Sequence, residues 1–339
     1  MTREMQARAP TAGGPTGGAP TAGAPAAPRM EQLRGIELLT EIATRFYLHG
    51  DTQVQIASNM GLDPSTVSRY LKRARHEGIV RVEIRPPRRQ NVDLGRTIAE
   101  RYGLARVVVT SAGCGSTRSA LPAVAADYIG GLLRSGMRVG VGWGETLSSV
   151  VQVMEPSAVT GLTICQLAGG LSESVPGIQG HELVRQLAGL NPGSRVQYLH
   201  APSIVDSSTI RAAIMSDSSV VTALATAAGS DLALVGIGPM DQDATLVRAG
   251  DLSPADVGHL LRLGAVGSMN ARFYGAAGEP VTWLDDRTVG ISWEELRAIQ
   301  LVVAVAGGAP KVEAIRAALR TGCVTVLVTD EVAGTLLAG

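Results

Sequence analysis

Apolar and polar positions change their period along this chain. Residues 9–28 have no period, being made only of Ala, Pro, Thr and Gly, a composition with nothing to bury and frequent helix breaks. A disordered tail is therefore predicted over residues 1–29. From Glu31 to Leu48 the apolar residues Leu33, Ile36, Leu38, Leu39, Ile42, Ala43 and Phe46 recur at helical spacing, which predicts one amphipathic helix ending near His49-Gly50. Asp51 and Thr52 are N-cap candidates for a second helix carrying Val54, Ile56, Ala57 and Met60, with Gly61 as its left-handed end. A third helix is expected after Asp63, with Pro64 at the first position, where the missing amide proton costs nothing. It runs to about Glu77. Ala57 and Gly61 are small where the two helices would cross, and Ile56, Met60, Leu62, Val67 and Tyr70 supply the apolar seam of a helix-turn-helix. After Gly78 the alternation of residues 79–85 predicts a strand or short wing before Pro86-Pro87. Residues 30–87 thus read as one small domain.

Beyond residue 88 the period changes again. Apolar runs at 106–110, 138–144, 162–170, 195–200, 231–238, 301–308 and 324–329 read as strands. Helical stretches fall between most of them, around 117–134, 145–154, 180–190, 208–228, 254–263, 310–320 and 330–337. Strands apolar on both faces and alternating with helices predict an α/β fold with a doubly wound parallel sheet over residues 88–339. Several of these strands end in glycine turns, and ligands of open α/β sheets sit at the carboxyl ends of strands.

Composition narrows the function classes. The 339 residues are 45% hydrophobic and 18% charged, which excludes wholesale disorder and suits two folded domains. Thirty basic residues balance thirty acidic ones, so affinity for a polyanion must come from charge placed locally. That placement exists: residues 61–89 hold eight basic residues against three acidic ones. No apolar run is long enough to cross a bilayer and the N-terminus lacks a secretory apolar stretch, so a cytoplasmic protein without membrane partners is expected. Cys114, Cys165 and Cys323 are odd in number and widely spaced, which argues against a structural disulfide or zinc site. No cofactor or metal is expected.

On the third helix Val67, Tyr70, Leu71 and Ala74 share one side, leaving Ser65, Thr66, Ser68, Arg69, Lys72 and Arg73 outward. Short hydroxyls followed one turn later by arginine suit a helix that reads the major groove, with Ser65 and Arg69 as the base-contacting pair.

In the large domain the run from Gly140 to Leu147 closes a strand and opens a helix. The turn at Gly142, Trp143, Gly144 and Thr146 can therefore present backbone amides and a positive helix end to an anion. A second turn with Gly307 and Gly308 places Lys311 at a helix start, and it is the only lysine besides Lys72. A cation there opposes the helix dipole and calls for a bound anion. Gly169, Gly170 and Gly238 end further strands, either bordering the same crevice or serving turn geometry alone. The histidines are scattered and read as ordinary.

Taken in order, TQVQIASNMGLDPSTVSRYLKRARHEGIVRVEI, GVGWGETL, GAVGSMNARFYGAAGEPV and AVAGGAPKVEAIRAAL resemble the SorC family of sugar-binding bacterial transcriptional regulators over about residues 31 to 337. The resemblance implies a winged helix-turn-helix joined to an effector domain similar to the sugar-phosphate isomerase and deaminase fold. It further implies a homodimer or homotetramer on double-stranded operator DNA, tuned by a phosphorylated sugar or polyol. Family phosphate positions fall on Gly142 to Thr146 and on Gly307, Gly308 and Lys311. Ser268 and Gly275 stand where the family commonly has acids that hold sugar hydroxyls, and Glu145 brings a negative charge into the phosphate turn. The rival expectation, an isomerase or deaminase with a DNA-binding head, needs a positioned acid and base. Beyond Asp241 and Asp243 no such cluster stands at the strand ends. A nucleotide-binding module is excluded, since neither a P-loop nor GxGxxG is present.

Overall fold

The computed structural model describes residues 27–80, 90–111, 117–172, 178–241 and 244–339. Of the tail expected over residues 1–29, residues 1–26 lie outside them and residues 27–29 are helical instead, as the start of the first helix, and most of the wing expected at 79–85 also lies outside them. The chain divides into two compact units at Arg85 and Pro86.

The first unit consists of α1 (Ala27–Tyr47), α2 (Gln53–Met60) and α3 (Pro64–His76). Thr52 caps α2 through a reciprocal pair with Gln55, and Gly61 ends it at φ 63°, a left-handed corner that glycine reaches without a Cβ penalty. Asp63 precedes α3, whose first position is Pro64. Ile42, Ile56, Ala57, Val67 and Leu71 are buried together, so the expected seam is the core of this unit.

The second unit holds eleven helices and eleven strands among the described residues. Its helices are α4 (Val92–Tyr102), α5 (Thr117–Leu132), α6 (Glu145–Val153), α7 (Gly180–Gly189), α8 (Ser208–Met215), α9 (Ser218–Ala228), α10 (Thr245–Arg248), α11 (Pro254–Arg262), α12 (Trp293–Ala298), α13 (Val312–Arg320) and α14 (Glu331–Ala338). Its strands are β1 (Arg106–Thr110), β2 (Arg138–Val141), β3 (Thr163–Gln166), β4 (Arg195–Gln197), β5 (Leu232–Gly236), β6 (Gly238–Pro239), β7 (Ala265–Met269), β8 (Arg272–Gly275), β9 (Pro280–Val281), β10 (Leu301–Val305) and β11 (Val326–Asp330). Seven form a parallel sheet in the order β1-β11-β10-β5-β2-β3-β4. Alternate residues feed opposite cores. Val302 and Ala304 of β10 meet α9, α12 and α13 on one face, while Val303 and Val305 meet α5, α6 and α7 on the other. Helices on both faces explain why these strands are apolar throughout.

The chain runs outward from β2 to β3 and β4, then returns to place β5 on the other side of β2 and continues to β10 and β11. The β2–β5 boundary is therefore a topological switch point, where open α/β sheets form a crevice. There the chain leaves β5 through Ile237 and enters a second sheet, the antiparallel β6-β7-β8-β9.

Three expectations are corrected. The apolar runs at 138–144, 162–170, 231–238 and 301–308 leave the parallel sheet at Val141, Gln166, Gly236 and Val305, so that Gly142, Gly144, Gly169, Gly170, Gly307 and Gly308 lie beyond it and Gly238 belongs to the antiparallel sheet. The helix expected over 208–228 is two helices, because Asp217 caps α9 through the amides of Ser219 and Val220. The antiparallel sheet and α4, capped by the Asn91 side chain, were not expected at all.

Candidate functional site

In the first unit, Val67, Leu71 and Ala74 of α3 are buried. Ser65, Arg69, Lys72 and Arg73 are exposed, and Thr66 and Ser68 are half-buried. The six residues chosen from sequence thus lie off the packed face. The basic residues differ in their engagements. Arg73 is held by Glu77 one turn on, Nε to Oε1 at 2.6 Å. Arg75 donates to the Tyr47 hydroxyl at 2.8 Å and lies over its ring, which ties α3 to α1.

In the second unit, the two glycine corners meet. Trp143, Gly144, Glu145, Thr146 and Leu147, following β2, line one cavity of about 280 Å³ together with Gly307, Pro310 and Lys311, following β10. Gly236, the last residue of β5, with Gly238 and Asp241 beyond it, and Ser268 and Asn270, of the antiparallel sheet and its turn, complete it. The cavity therefore opens at the carboxyl ends of three adjacent strands, at the switch point.

Local chemistry explains the shape. Gly144 precedes α6 at φ 120° and no side chain caps the helix, so the first-turn amides are left to a ligand or to water. Its own amide donates to Ile178 O at 3.1 Å, and that of Gly142 donates to Leu234 O at 2.9 Å, which fixes the turn against β5. Gly308 turns at φ 93°. Gly307 faces Asp330, whose carboxylate a Cβ would strike while that carboxylate caps α14 through Ala333 N at 2.8 Å. Glu145 is engaged by Arg248 of α10, which tempers its repulsion of an anion.

Of the residues selected from sequence, Trp143, Gly144, Thr146, Gly238, Gly307 and Lys311 line this cavity. Gly142 and Gly308 shape its turns without lining it. Gly169 and Gly170 do not join them. Gly169 lies against the Pro202 carbonyl, with no room for a Cβ, and Gly170 lines a separate cavity. Sequence reasoning missed Asn270. It is 8% exposed, its backbone has φ 50°, and its Nδ2 has no hydrogen-bond partner. A buried amide left in that state favours an acceptor in the cavity. The only signal in sequence was its place in the GAVGSMNARFYG segment.

No cluster of metal-binding side chains occurs among the described residues, and no described helix is long and apolar enough to cross a membrane.

The family model described as "Putative sugar-binding domain" matches residues 87–338, and that described as "Winged helix-turn helix" matches residues 47–94. The deoxyribonucleoside regulator of Bacillus subtilis (strain 168) is 30% identical over 300 residues, covering 87% of this chain and 95% of that protein. The transcriptional regulator LsrR of Enterobacter sp. (strain 638) is 32% identical over 301 residues, covering 87% and 90%. The crystal structure of the full-length sorbitol operon regulator SorC from Klebsiella pneumoniae superposes with a TM-score of 0.73 at 28% identity, covering 90% of this chain and 99% of that one. The two domain models, the regulators of similar sequence and the full-length SorC structure agree: the chain belongs to the SorC family of sugar-binding transcriptional regulators.

Proposed function

We propose that the switch-point cavity holds a phosphorylated sugar or polyol and that its occupancy changes affinity for operator DNA. The observation that carries this reading is the meeting of the two glycine corners with Lys311 in one cavity. The phosphoryl group lies against the uncapped start of α6 and Lys311, where helix dipole and ammonium both favour an anion. Ser268, Asn270 and Asp241 face the rest of the ligand. With Ser268 and Gly275 in place of acids, hydroxyl recognition passes to Asn270 and Asp241. On α3, Ser65 and Arg69 read base edges, while Thr66, Ser68, Lys72 and Arg73 approach phosphates. A homodimer or homotetramer would match paired half-sites on the duplex. The ligand acts by binding one DNA-affinity state better than the other, a coupling of about 1–3 kcal/mol per site. The protein acts as a sensor, not an enzyme.

A thermal-shift screen of the full chain against sugar and polyol phosphates tests the cavity. Stabilisation by a phosphorylated compound, absent with its unphosphorylated form and with Lys311→Ala, is expected. Equal stabilisation of Lys311→Ala would place the phosphate elsewhere.

A further inference from the structure

Two buried donors in the switch-point cavity have nothing to donate to. Among the described residues that line it, the buried side-chain nitrogens and oxygens without a hydrogen-bond partner are Trp143 Nε1 and Asn270 Nδ2. Both are donors, and no buried side-chain acceptor of these lining residues is left over in the same way.

The fold holds both donors in place. Asn270 and Ala271, at φ 50° and 60°, are the central residues of the β7–β8 hairpin, between the paired Met269 and Arg272. A two-residue hairpin turn asks for positive φ at both positions, which asparagine tolerates and alanine reaches only at a backbone cost. Packing imposes it. Ala271 is fully buried, and the buried Arg272 guanidinium anchors the hairpin to the carbonyls of Gly290 and Ile291 and to Asp285 Oδ1 at 3.0 Å. Such strain persists where the surroundings over-determine it, and it gathers at ligand sites. The Asn270 Oδ1 lies against the turn at Gly142, which limits rotation of the amide. Trp143 is fixed from its other side, where its ring packs on the apolar core shared by α10, α11 and the antiparallel sheet.

Donors that are positioned in advance and left unpaired select the ligand atom that meets them. A hydroxyl oxygen can accept from them but brings a proton that needs an acceptor of its own. A carbonyl or carboxylate oxygen accepts twice and brings none. We infer that the effector carries, besides its phosphoryl group, an oxo oxygen of a carbonyl or carboxylate, and that Trp143 Nε1 and Asn270 Nδ2 read it. This rests on the sugar-phosphate reading above and narrows it, leaving the ligand's hydroxyls to Asp241, which lines the same cavity. The cavity thereby prefers an oxidised sugar phosphate to the corresponding polyol phosphate.

Isothermal titration of the full-length chain with two matched sets of acyclic phosphates tests this. Glycerol 3-phosphate, dihydroxyacetone phosphate and 3-phosphoglycerate share one carbon frame and differ in carrying a polyol, a ketone or a carboxylate. Ribitol 5-phosphate, ribulose 5-phosphate and 5-phosphoribonate repeat the comparison on a longer frame. In at least one set the ketone or the carboxylate should bind about tenfold or more tightly than the polyol, as expected for hydrogen bonds gained at buried donors. Which of the two does so assigns the group. Trp143→Phe keeps a ring, adds no charge and removes Nε1, while Asn270→Asp keeps the shape and the tolerance of positive φ and removes the amide donor. Each should bring the preference below about threefold, and polyol binding retained by Trp143→Phe shows that its cavity is intact. Polyols bound as tightly as their oxidised partners in both sets, or a preference unchanged in both variants, would overturn the inference; Lys311→Ala weakening every compound would then leave the phosphate site standing. No binding by any of the six, or binding indifferent to Lys311→Ala, would overturn the sugar-phosphate reading and this inference with it.

Discussion

Gly142 and Asn270, 128 positions apart in sequence, meet so closely that a β-carbon on Gly142 would lie 2.5 Å from Asn270 Oδ1. The turn that follows the parallel strand β2 and the turn of the antiparallel sheet thereby meet beside the switch-point cavity. Gly142→Ala should cost about 1–3 kcal/mol by forcing one of the two segments to shift. Urea unfolding measures the loss. Because the shift falls on the glycine turn beside the switch-point cavity, the same variant should bind its effector more weakly, and full stability in urea would show that the contact relaxes freely.

Tyr274 joins the small sheet to α13. It is fully buried and donates to Ala314 O at 3.1 Å, and burial holds its phenol well above the ordinary range. Tyr274→Phe keeps the ring and removes the donor. A loss of about 1 kcal/mol is expected in the same unfolding measurement, and the rise in tyrosinate absorbance up to pH 10 should be the same in parent and variant, because Tyr274 stays protonated in the folded parent.

Asp256 gives the second unit an acid-sensitive joint. Burial pushes its carboxyl up, but the Ser253 hydroxyl and amide at 2.6 and 2.9 Å and the Arg287 guanidinium at 3.6 Å outweigh this and hold it below its ordinary value. A carboxyl lowered in the folded state adds stability that is complete above its unfolded value and is lost as pH falls through the folded one. Thermal melts from about pH 5 to pH 2 should therefore fall less steeply for Asp256→Asn than for the parent. Parallel curves would remove Asp256 from the acid response.

On the DNA side, Arg69 and Lys72 share exposure, and the proposed reading gives them different roles. Arg69→Ala should cost about 1–3 kcal/mol on operator and little on unrelated duplex. Lys72→Ala should weaken both alike and reduce the slope of log affinity against log salt by about 1. Fluorescence anisotropy on the two duplexes separates them, and equal losses for both variants would deny Arg69 a reading role.

Much of this was legible in the sequence because the signals were local. Thr52, Gly61 and Pro64 punctuate α2 and α3 where the caps require, and β1 occupies the 106–110 run. Local signals also misled. In 138–144 apolar residues continue past Val141, so hydropathy alone could not show where the chain leaves the sheet for the turn before α6. The antiparallel sheet escaped because its strands are two to five residues long, too short to establish a period. The glycine corners holding Gly144 and Lys311 were legible as strand ends, but their meeting depends on the strand order, which only the structure gives. The exclusion of Gly169 and the inclusion of Asn270 did not, since both depend on contacts between segments far apart in the chain.

The central claim is that one cavity, built on Lys311 and the start of α6, couples an anionic sugar to DNA release or capture. The most direct measurement is an electrophoretic shift of the protein's own operator, titrated with the sugar phosphate that stabilises the parent. Lys311→Ala should bind the operator as tightly as the parent without effector and should show no response to it. An Lys311→Ala protein whose operator affinity changes with the same midpoint as the parent's would contradict the account.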